Sequence, residues 1–395
     1  MISNDKKYVL LRAPSLTQSG YGVHARQIAK WLFDYAEQND NIEIHTELLN
    51  WGQTPWITNV HAYDGLIGKI YQASSFRREK YDVSIQLQLP NEWYPGLAEK
   101  NIGITAGVEA DRVNPAWIAC CNKMDLVIVP SEYSKRAFVN TGGLKTKIEV
   151  VPESFMEEIS DMDNKPALEL DVDTKFNFLI FGQLTNVNPD DDRKRIAYTI
   201  KWLCEEFKQD KNVGIILKTN IGRNTALDRK MTENMLVQLR EQVSESEFPR
   251  LHLMHGHMDN DDIVGLYKNN TIKALVSLSA GEGWGLPIID AAAAGLPVIV
   301  ANYSAPVEYL KHGRYIAIDS GEGPVPQGRI DGQIFIPGSM WGYVSEQDFK
   351  KKARKFYEGS TVPREWAAEL RKKIMEKYSI DSVKEIYTSK LKDYL

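Results

Sequence analysis

Apolar residues along this chain fall into short, β-rich blocks closed by polar or small residues, with helical periodicity between them. The block YVLLRA (8–13) runs into a polar loop, PSLTQSGYGV, after which HARQIAKWLFDYAEQ brings Ile28, Leu32 and Tyr35 round at near-helical spacing. IEIHTELL (42–49), DVSIQLQL (82–89), NIGITAG (101–107), DLVIVPS (125–131) and KIEVVPE (147–153) continue the strand series. PAWIACCNKM and SEYSKRAFVNTG fit helices between them, the second capped by Ser131 and stopped by Gly142. Residues 154–175 are acidic, poorly periodic and carry a proline, the composition of a linker. A second series follows: FNFLIFG (176–182), VGIILKT (213–219), LHLMHG (251–256), IKALVSLS (272–279) and PVIVAN (297–302). Its helices are expected at about 193–208, about 226–245 and NDDIVGLYKNN, and from about 346 the chain is helical and heavily charged. Strands alternating with helices predict α/β architecture, here two Rossmann-like, doubly wound parallel sheets.

Length agrees, since 395 residues exceed what one core usually serves. The expected division is an N-terminal domain at 1–155, a linker at 156–175 and a C-terminal domain at 176–377. Two such domains are expected to face one another across a cleft, with ligands at the carboxyl ends of the strands. An apolar content of 43% with 26% charged residues is that of a soluble globular protein, and a net charge of −5 argues against broad non-specific nucleic-acid binding. Three cysteines, two of them adjacent, make no disulfide framework and fit a reducing compartment. The start, MISNDKKYVLLRAP, has no signal-peptide core, and no apolar window is long enough to span a membrane, so a cytoplasmic location is expected.

SLSAGEGWGLPIIDAAAAGLPVIV (277–300) is the least random stretch. A buried strand feeds the loop AGEGWG, and Pro287 suits the first turn of the next helix. Gly281, Gly283 and Gly285 let a ligand approach the main chain. The amides at 283–288 would sit at the positive end of a helix dipole, where phosphate or sugar oxygens are favoured. Glu282 lies in the loop, and Asp290 is expected in the first helical turn. Two acceptor-only side chains beside open amides suit a polyhydroxyl, anionic ligand.

The stretch resembles the E-x7-E signature of retaining glycosyltransferases of GT-B fold, specifically family 4, whose pattern is EGFGLPxxEAMAxGxPVI. The resemblance implies that Glu282, with the main chain at Gly283, Trp284, Gly285 and Leu286, holds the donor sugar, and that Asp290 meets the nucleotide ribose. Asp290 stands where the family usually has Glu, one methylene shorter in reach. GITAGVEADRVNPAWIACCNKMDLVIVPSEYSKRAF is similar to the E-x-D-R-x-P-x-W and D-x-V-x-V-P-S stretches of some members. IFGQLTNVNPDDDRKRIAYTIKWL resembles the opening of the donor domain, where a Gly-Arg pair and a later Arg-Lys grip the diphosphate. Gly182 and Gln183 occupy the first position, with Gln183 replacing the usual cation; Arg193 and Lys194 match the second. YSIDSV resembles the segment whose helices, here about 378–395, cross back to the N-terminal domain.

The TQSGYG loop (17–22) corresponds to a glycine-rich loop that in the family approaches the diphosphate and the acceptor, which makes Ser19, Gly20, Tyr21 and Gly22 candidates. Physically, Gly20 and Gly22 are expected to leave amides open at a helix start; an ordinary tight turn is the alternative. Glu109 and Asp111 follow a strand at its carboxyl edge. Glu109 is the candidate polar group near the anomeric carbon, where a retaining transfer stabilises an oxocarbenium ion; capping a helix or pairing with Arg112 is its alternative. Charge runs such as DDDRKR are usually solvated; the resemblance reverses that for Lys194, as the catalytic cation on the leaving diphosphate, but not for Arg195. The DDD triplet is too unspecific for a metal site, and no metal or cofactor is expected. FKKKARKF and SSFRREKY read as solvated helix faces, with peripheral contact to anionic lipid or nucleic acid as the alternative; Glu308 reads as structural.

The resemblance thus implies a metal-independent enzyme that passes a sugar from a nucleotide diphosphate sugar, base undetermined, to an acceptor hydroxyl. Glycan, lipid-linked glycan, protein and modified nucleic acid all stay open as acceptors. A nucleotide-sugar-binding protein without transfer activity and an epimerase- or phosphorylase-like enzyme are the rival readings. An NAD-dependent oxidoreductase lacks its fingerprint.

Overall fold

The computed structural model describes residues 6–184, 186, 188–222, 224–243 and 248–395, without the side chains of 242 and 243. The first five residues, part of the stretch read for a leader, and residues 244 and 245, expected to end a helix, lie outside that set. The chain divides into two compact units: Met1–Ser154 with Gly332–Ile336 and Ile380–Leu395, and Phe155–Asp331 with Pro337–Ser379.

Unit 1 is built on a six-stranded parallel sheet of β1 (Lys7–Ala13), β2 (Ile42–Leu48), β3 (Tyr81–Leu87), β4 (Ala98–Ile104), β5 (Leu126–Val129) and β6 (Ile148–Val150), ordered β2-β1-β3-β4-β5-β6. Its helices are α1 (Gly20–Glu37), α2 (Leu66–Ala73), α3 (Pro115–Cys121) and α4 (Glu132–Thr141). The reason for the apolar strands is visible in β1. Val9 and Leu11 pack with Ala25, Ile28 and Leu32 of α1, while Leu10 between them packs with Tyr81 and Ala98. Successive side chains point to opposite faces, so a strand apolar at consecutive positions is covered on both. Ser131 and Gly142 bound α4 as expected. The chain's last helix, Ile380–Leu391, belongs to this unit: the Trp31 indole donates to Thr388 Oγ1 at 2.9 Å, and Lys384 pairs with Asp34 at 2.5 Å.

Unit 2 repeats the plan with β7 (Phe176–Phe181), β8 (Val213–Thr219), β9 (Arg250–His255), β10 (Ile272–Ser277), β11 (Val298–Ala301) and β12 (Ile316–Ile318) in the order β12-β11-β10-β7-β8-β9. The helices are α5 (Ile196–Glu206), α6 (Ala226–Val243), α7 (Asn260–Lys268), α8 (Leu286–Ala293), α9 (Pro306–Leu310), α10 (Glu346–Glu358) and α11 (Thr361–Tyr378). In each sheet the winding reverses once, between β1 and β3 and between β7 and β10. Loops leaving the carboxyl ends at such a reversal diverge and open a crevice, which makes it the binding position of open α/β sheets.

Several features depart from the sequence reading, among them strand β12 and helix α9, which lie in a stretch given no element there. An antiparallel hairpin, β13 (Ser320–Pro324) with β14 (Met340–Val344), stands where no strands were expected. Helix α2 was also unforeseen; it starts from Gly65 at φ 82° with no side-chain cap. The stretch read as a linker packs on unit 2, with Ile159 and Met162 buried, Asn260 donating to Glu158 at 2.7 Å and the Leu168 amide donating to Gly265 O at 2.9 Å. Among the described residues no helix is long and apolar enough to cross a membrane.

Candidate functional site

The loops after β7 and β10 leave either side of the reversal in unit 2 and are bonded to each other. The carbonyl of Arg193 accepts from the Ala280 amide at 2.8 Å, and its guanidinium donates back to Gly281 O at 2.5 Å. Lys194 Nζ lies 2.5 Å from Glu282 Oε1, and Arg193 Nη1 lies 3.4 Å from Oε2. Glu282 is only 7% exposed. Burial pushes its carboxyl upward, but the charges of Lys194 and Arg193 outweigh that and hold it below the ordinary value. The Glu282 amide donates to Ser304 Oγ at 3.0 Å, with Ser304 itself at φ 65°.

Gly285 caps α8 at φ 94°, a conformation few side-chain-bearing residues adopt, and a Cβ there would also press on Pro306 and the Tyr309 hydroxyl. That hydroxyl donates to the carbonyls of Trp284 and Gly285, both at 3.2 Å, and fixes the loop's exit. The amides of Trp284, Gly285 and Leu286 have no acceptor among the described residues; the expected open row stops there, because Pro287 has no N–H and the Ile288 amide donates to Gly285 O at 2.9 Å. The Trp284 ring turns inward, against Tyr309 and Tyr378, so only its backbone is offered to a ligand.

Asp290 is not in the first turn of the helix. Gly285 sets the start at Leu286, which makes Asp290 the fifth residue. Its Oδ1 accepts from the Met156 amide at 2.8 Å, and burial lifts its carboxyl to about 7, against the lowering effect of that hydrogen bond. Gly182 sits beside the Lys194 side chain with its amide on Lys218 O at 3.1 Å, and Gln183 is exposed.

The expectation that Arg195 is solvated is corrected. Asp192, Arg193 and Arg195 are buried. Asp192 Oδ2 takes the Ile196 amide at 2.8 Å and so caps α5, while Arg195, at φ 51°, donates to Gly342 O at 3.0 Å and lies over the Tyr343 ring. Gly342 N in turn donates to Ala280 O at 2.7 Å. The unforeseen hairpin therefore braces the site's rear through Arg195 and Gly342. The short aromatic and β-branched run MWGYV (340–344) was a sequence signal for it.

In unit 1 the β1–α1 loop carries the other candidates. Ser19 Oγ accepts from the Gly22 amide at 3.0 Å, so Gly22 is capped rather than open, contrary to expectation. Its glycine identity has a steric cause: a Cβ would fall 2.0 Å from Thr17 O. The first-turn amides of Gly20 and Tyr21 have no acceptor among the described residues. Tyr21 shares a hydrogen bond with Thr105 Oγ1 at 3.0 Å, and its hydroxyl takes the Ala106 amide at 3.1 Å. Burial raises its pKa, and the nearby charge of Glu109, which is half-buried, adds to this. Arg112 is held by Asp111 through Nε at 3.0 Å and Nη2 at 2.9 Å. The structure thus gathers Glu282, Arg193, Lys194 and the α8 amides at one reversal, and the Ser19–Gly22 loop with Glu109 in the other unit.

Residues 221–321 match the family model for Glycosyl transferases group 1. No curated protein matches the chain. Solved structures resemble it over nearly the whole length. Sucrose-phosphate synthase from Thermosynechococcus elongatus has a TM-score of 0.64 at 11% identity, covering 98% of this chain and 99% of its own. The E. coli trehalose-6-phosphate structure bound with UDP-2-fluoro glucose has 0.63 at 12%, with the same coverage. Anabaena HepE in complex with UDP and glucose has 0.58 at 16%, covering 97% and 99%. Likeness at such identities establishes the fold, and the group 1 match falls on the half that holds Glu282 and Asp290. The chain is a glycosyltransferase of GT-B fold.

Proposed function

We propose that the chain is a retaining, metal-independent glycosyltransferase of the family 4 type, taking its sugar from a nucleotide diphosphate sugar. The observation that carries this reading is the Lys194–Glu282 pair beside the open amides of α8. Glu282, kept ionised by its neighbours, accepts hydroxyl protons of the sugar and orients it. Lys194, Arg193 and the α8 amides neutralise the charge that grows on the leaving diphosphate, work that is mostly positioning and electrostatics. The free lone pairs of Asp290 meet the ribose, and Gln183 offers a neutral amide where relatives carry a cation. Unit 1 supplies the acceptor half of the reaction, with Glu109 and the Ser19–Gly22 loop. The UDP and UDP-2-fluoro glucose in structures of the same fold support a nucleotide-sugar donor.

The test is a thermal-shift screen against UDP-, GDP-, ADP-, CDP- and dTDP-sugars, followed by transfer assays with the best binder. One donor should raise the melting temperature, Lys194→Ala and Glu282→Ala should lose transfer, and NMR of the product should show the donor's anomeric configuration. Full transfer by Glu282→Ala would overturn the site, and an inverted product would overturn the retaining assignment.

A further inference from the structure

We infer that unit 1 carries a glycan-binding platform centred on Trp51, and that the acceptor it presents is a neutral carbohydrate. The word acceptor rests on the transferase reading above; the binding site stands on the geometry of unit 1 alone. The loops after β1 and β2 leave the carboxyl edge of the sheet next to its reversal, and they are zipped together. Thr17 and Trp56 form an antiparallel bridge, the Gln18 amide donates to Pro55 O at 3.1 Å, and the Ile57 amide donates to Leu16 O at 2.7 Å. Across this ladder the rings of Tyr21 and Trp51 stack at 3.9 Å and 16°. Tyr21 is fixed through its hydroxyl to Thr105 and Ala106, whereas Trp51 is only half-buried. The result is an indole clamped on one side and reachable by ligand. An aromatic slab already locked in place loses little entropy when a sugar ring lies on it, and its negative face suits the polarised C–H groups of a pyranose.

Charge decides the ligand class. Residues 14–22, PSLTQSGYG, and 49–60, LNWGQTPWITNV, contain no Asp, Glu, Lys, Arg or His. Nucleic acids and anionic lipid surfaces are held chiefly by exposed lysine and arginine side chains, which these loops do not carry; Arg26, which donates to Ser15 O and Thr17 O, is buried beneath them. What they offer is amides, hydroxyls and aromatic rings, neutral groups that donate and accept, matching sugar hydroxyls. Gln18 Oε1 and Ser15 Oγ are buried with no hydrogen-bond partner, so the first loop is polar beyond what its own contacts satisfy.

The experiment follows tryptophan indole signals of the ¹⁵N-labelled full chain during titration with neutral oligosaccharides (maltotriose, cellotriose, chitotriose, mannotriose). Phosphatidylserine vesicles and a short single-stranded RNA serve as rivals, and Trp51→Phe assigns the Trp51 signal. At least one oligosaccharide should move that signal, and Trp51→Ala should weaken its binding by about tenfold or more, as loss of an aromatic anchor does. Trp51→Phe, which keeps a ring on Tyr21, should weaken it less. The platform is overturned if no oligosaccharide moves the Trp51 signal, if vesicles or RNA move it instead, or if Trp51→Ala binds as well as the parent. Donor binding is scored separately on the same protein. Glycan binding at Trp51 without any nucleotide-sugar binding would sink the transferase reading and leave the platform, and the converse would sink the platform alone.

Discussion

Lys194 Nζ and Glu282 Oε1 stand 2.5 Å apart although 88 residues separate them in sequence. The contact joins the loops on either side of the β7/β10 reversal, so one ion pair both sets the charge of the site and staples its two walls. Burial alone would drive Glu282 toward its protonated form; the two cations reverse that.

Lys194→Ala should therefore cost stability as well as activity. It leaves a buried carboxylate with Arg193 at 3.4 Å as its remaining cation. Breaking a buried pair costs about 3–5 kcal/mol, and Arg193 brings the loss to the low end, on the order of 3 kcal/mol. The pH dependence has a defined sign. A carboxyl whose folded pKa is depressed contributes stability that is present above the unfolded value, about 4.3, and lost as pH falls through the lower folded value. Urea unfolding of the parent and Glu282→Gln should show a gap at pH 6 that narrows as pH falls below about 4. A gap that stays constant from pH 6 to pH 3 contradicts the ionised assignment.

Asp290 runs the other way. Its folded carboxyl sits near 7, above the unfolded Asp value of about 3.9, so the native state holds a proton the unfolded chain releases. That contribution is present at low pH and is lost as pH rises from about 4 to 7. Asp290→Asn keeps an oxygen for the Met156 amide and removes the ionisation. Its melting temperature should exceed the parent's above pH 7, with the advantage vanishing toward pH 4. Parallel melting curves across that range would mean Asp290 titrates as an ordinary surface carboxylate.

Much of this molecule was readable in advance, for physical reasons that also explain the gaps. Strands covered on both faces must be apolar at consecutive positions, and Val9, Leu10 and Leu11 announce one without any partner in view. The hairpin strand SGEGP has no such signature; it is held by backbone pairing and by Gly342, whose Cβ would strike Tyr303. Glu282 was legible because glycines crowd round it. Arg195 was not, because a charged run is normally solvated, and its burial follows from a hairpin some 147 residues further along the chain. The Asp290 position slipped because Pro287 and the acidic side chain both suit a first turn, while the actual start is fixed by the left-handed turn at Gly285.

The start of α1 separates a cap from a close approach. Ser19→Ala removes the side-chain acceptor for the Gly22 amide and should cost about 1 kcal/mol, the usual loss of an N-cap. Gly22→Ala keeps the cap but places a methyl 2.0 Å from Thr17 O, so the loop must move, at about 1–3 kcal/mol. Chemical denaturation should rank the parent above Ser19→Ala and Ser19→Ala above Gly22→Ala. If Gly22→Ala proves the milder change, the loop is not packed as described.

The helix that closes unit 1 is tied down by a neutral histidine, and acid should loosen it. His24 is 2% exposed and shares a 2.8 Å hydrogen bond between Nε2 and the Tyr387 hydroxyl; Glu153 Oε1 lies 3.8 Å from Nδ1, too far to bond. Burial lowers the His24 pKa to about 3. The unfolded chain takes up a proton near pH 6.5 that the folded unit refuses, so this stability is complete above about 6.5 and declines as pH falls toward 3. The slope is at most about 1.4 kcal/mol per pH unit. His24→Gln, which can still bond Tyr387, removes that term, so its stability should fall less than the parent's between pH 6.5 and 4.5. Tyr387→Phe does the opposite: it leaves a buried imidazole nitrogen without a partner and should cost about 1–3 kcal/mol already at pH 7.5. Since Tyr387 sits in the terminal helix and His24 in α1, that loss should appear in hydrogen exchange as faster opening of residues 380–391. Equal acid slopes for the parent and His24→Gln would show that the imidazole takes up its proton as readily in the folded unit as in the unfolded chain, and would overturn the neutral assignment.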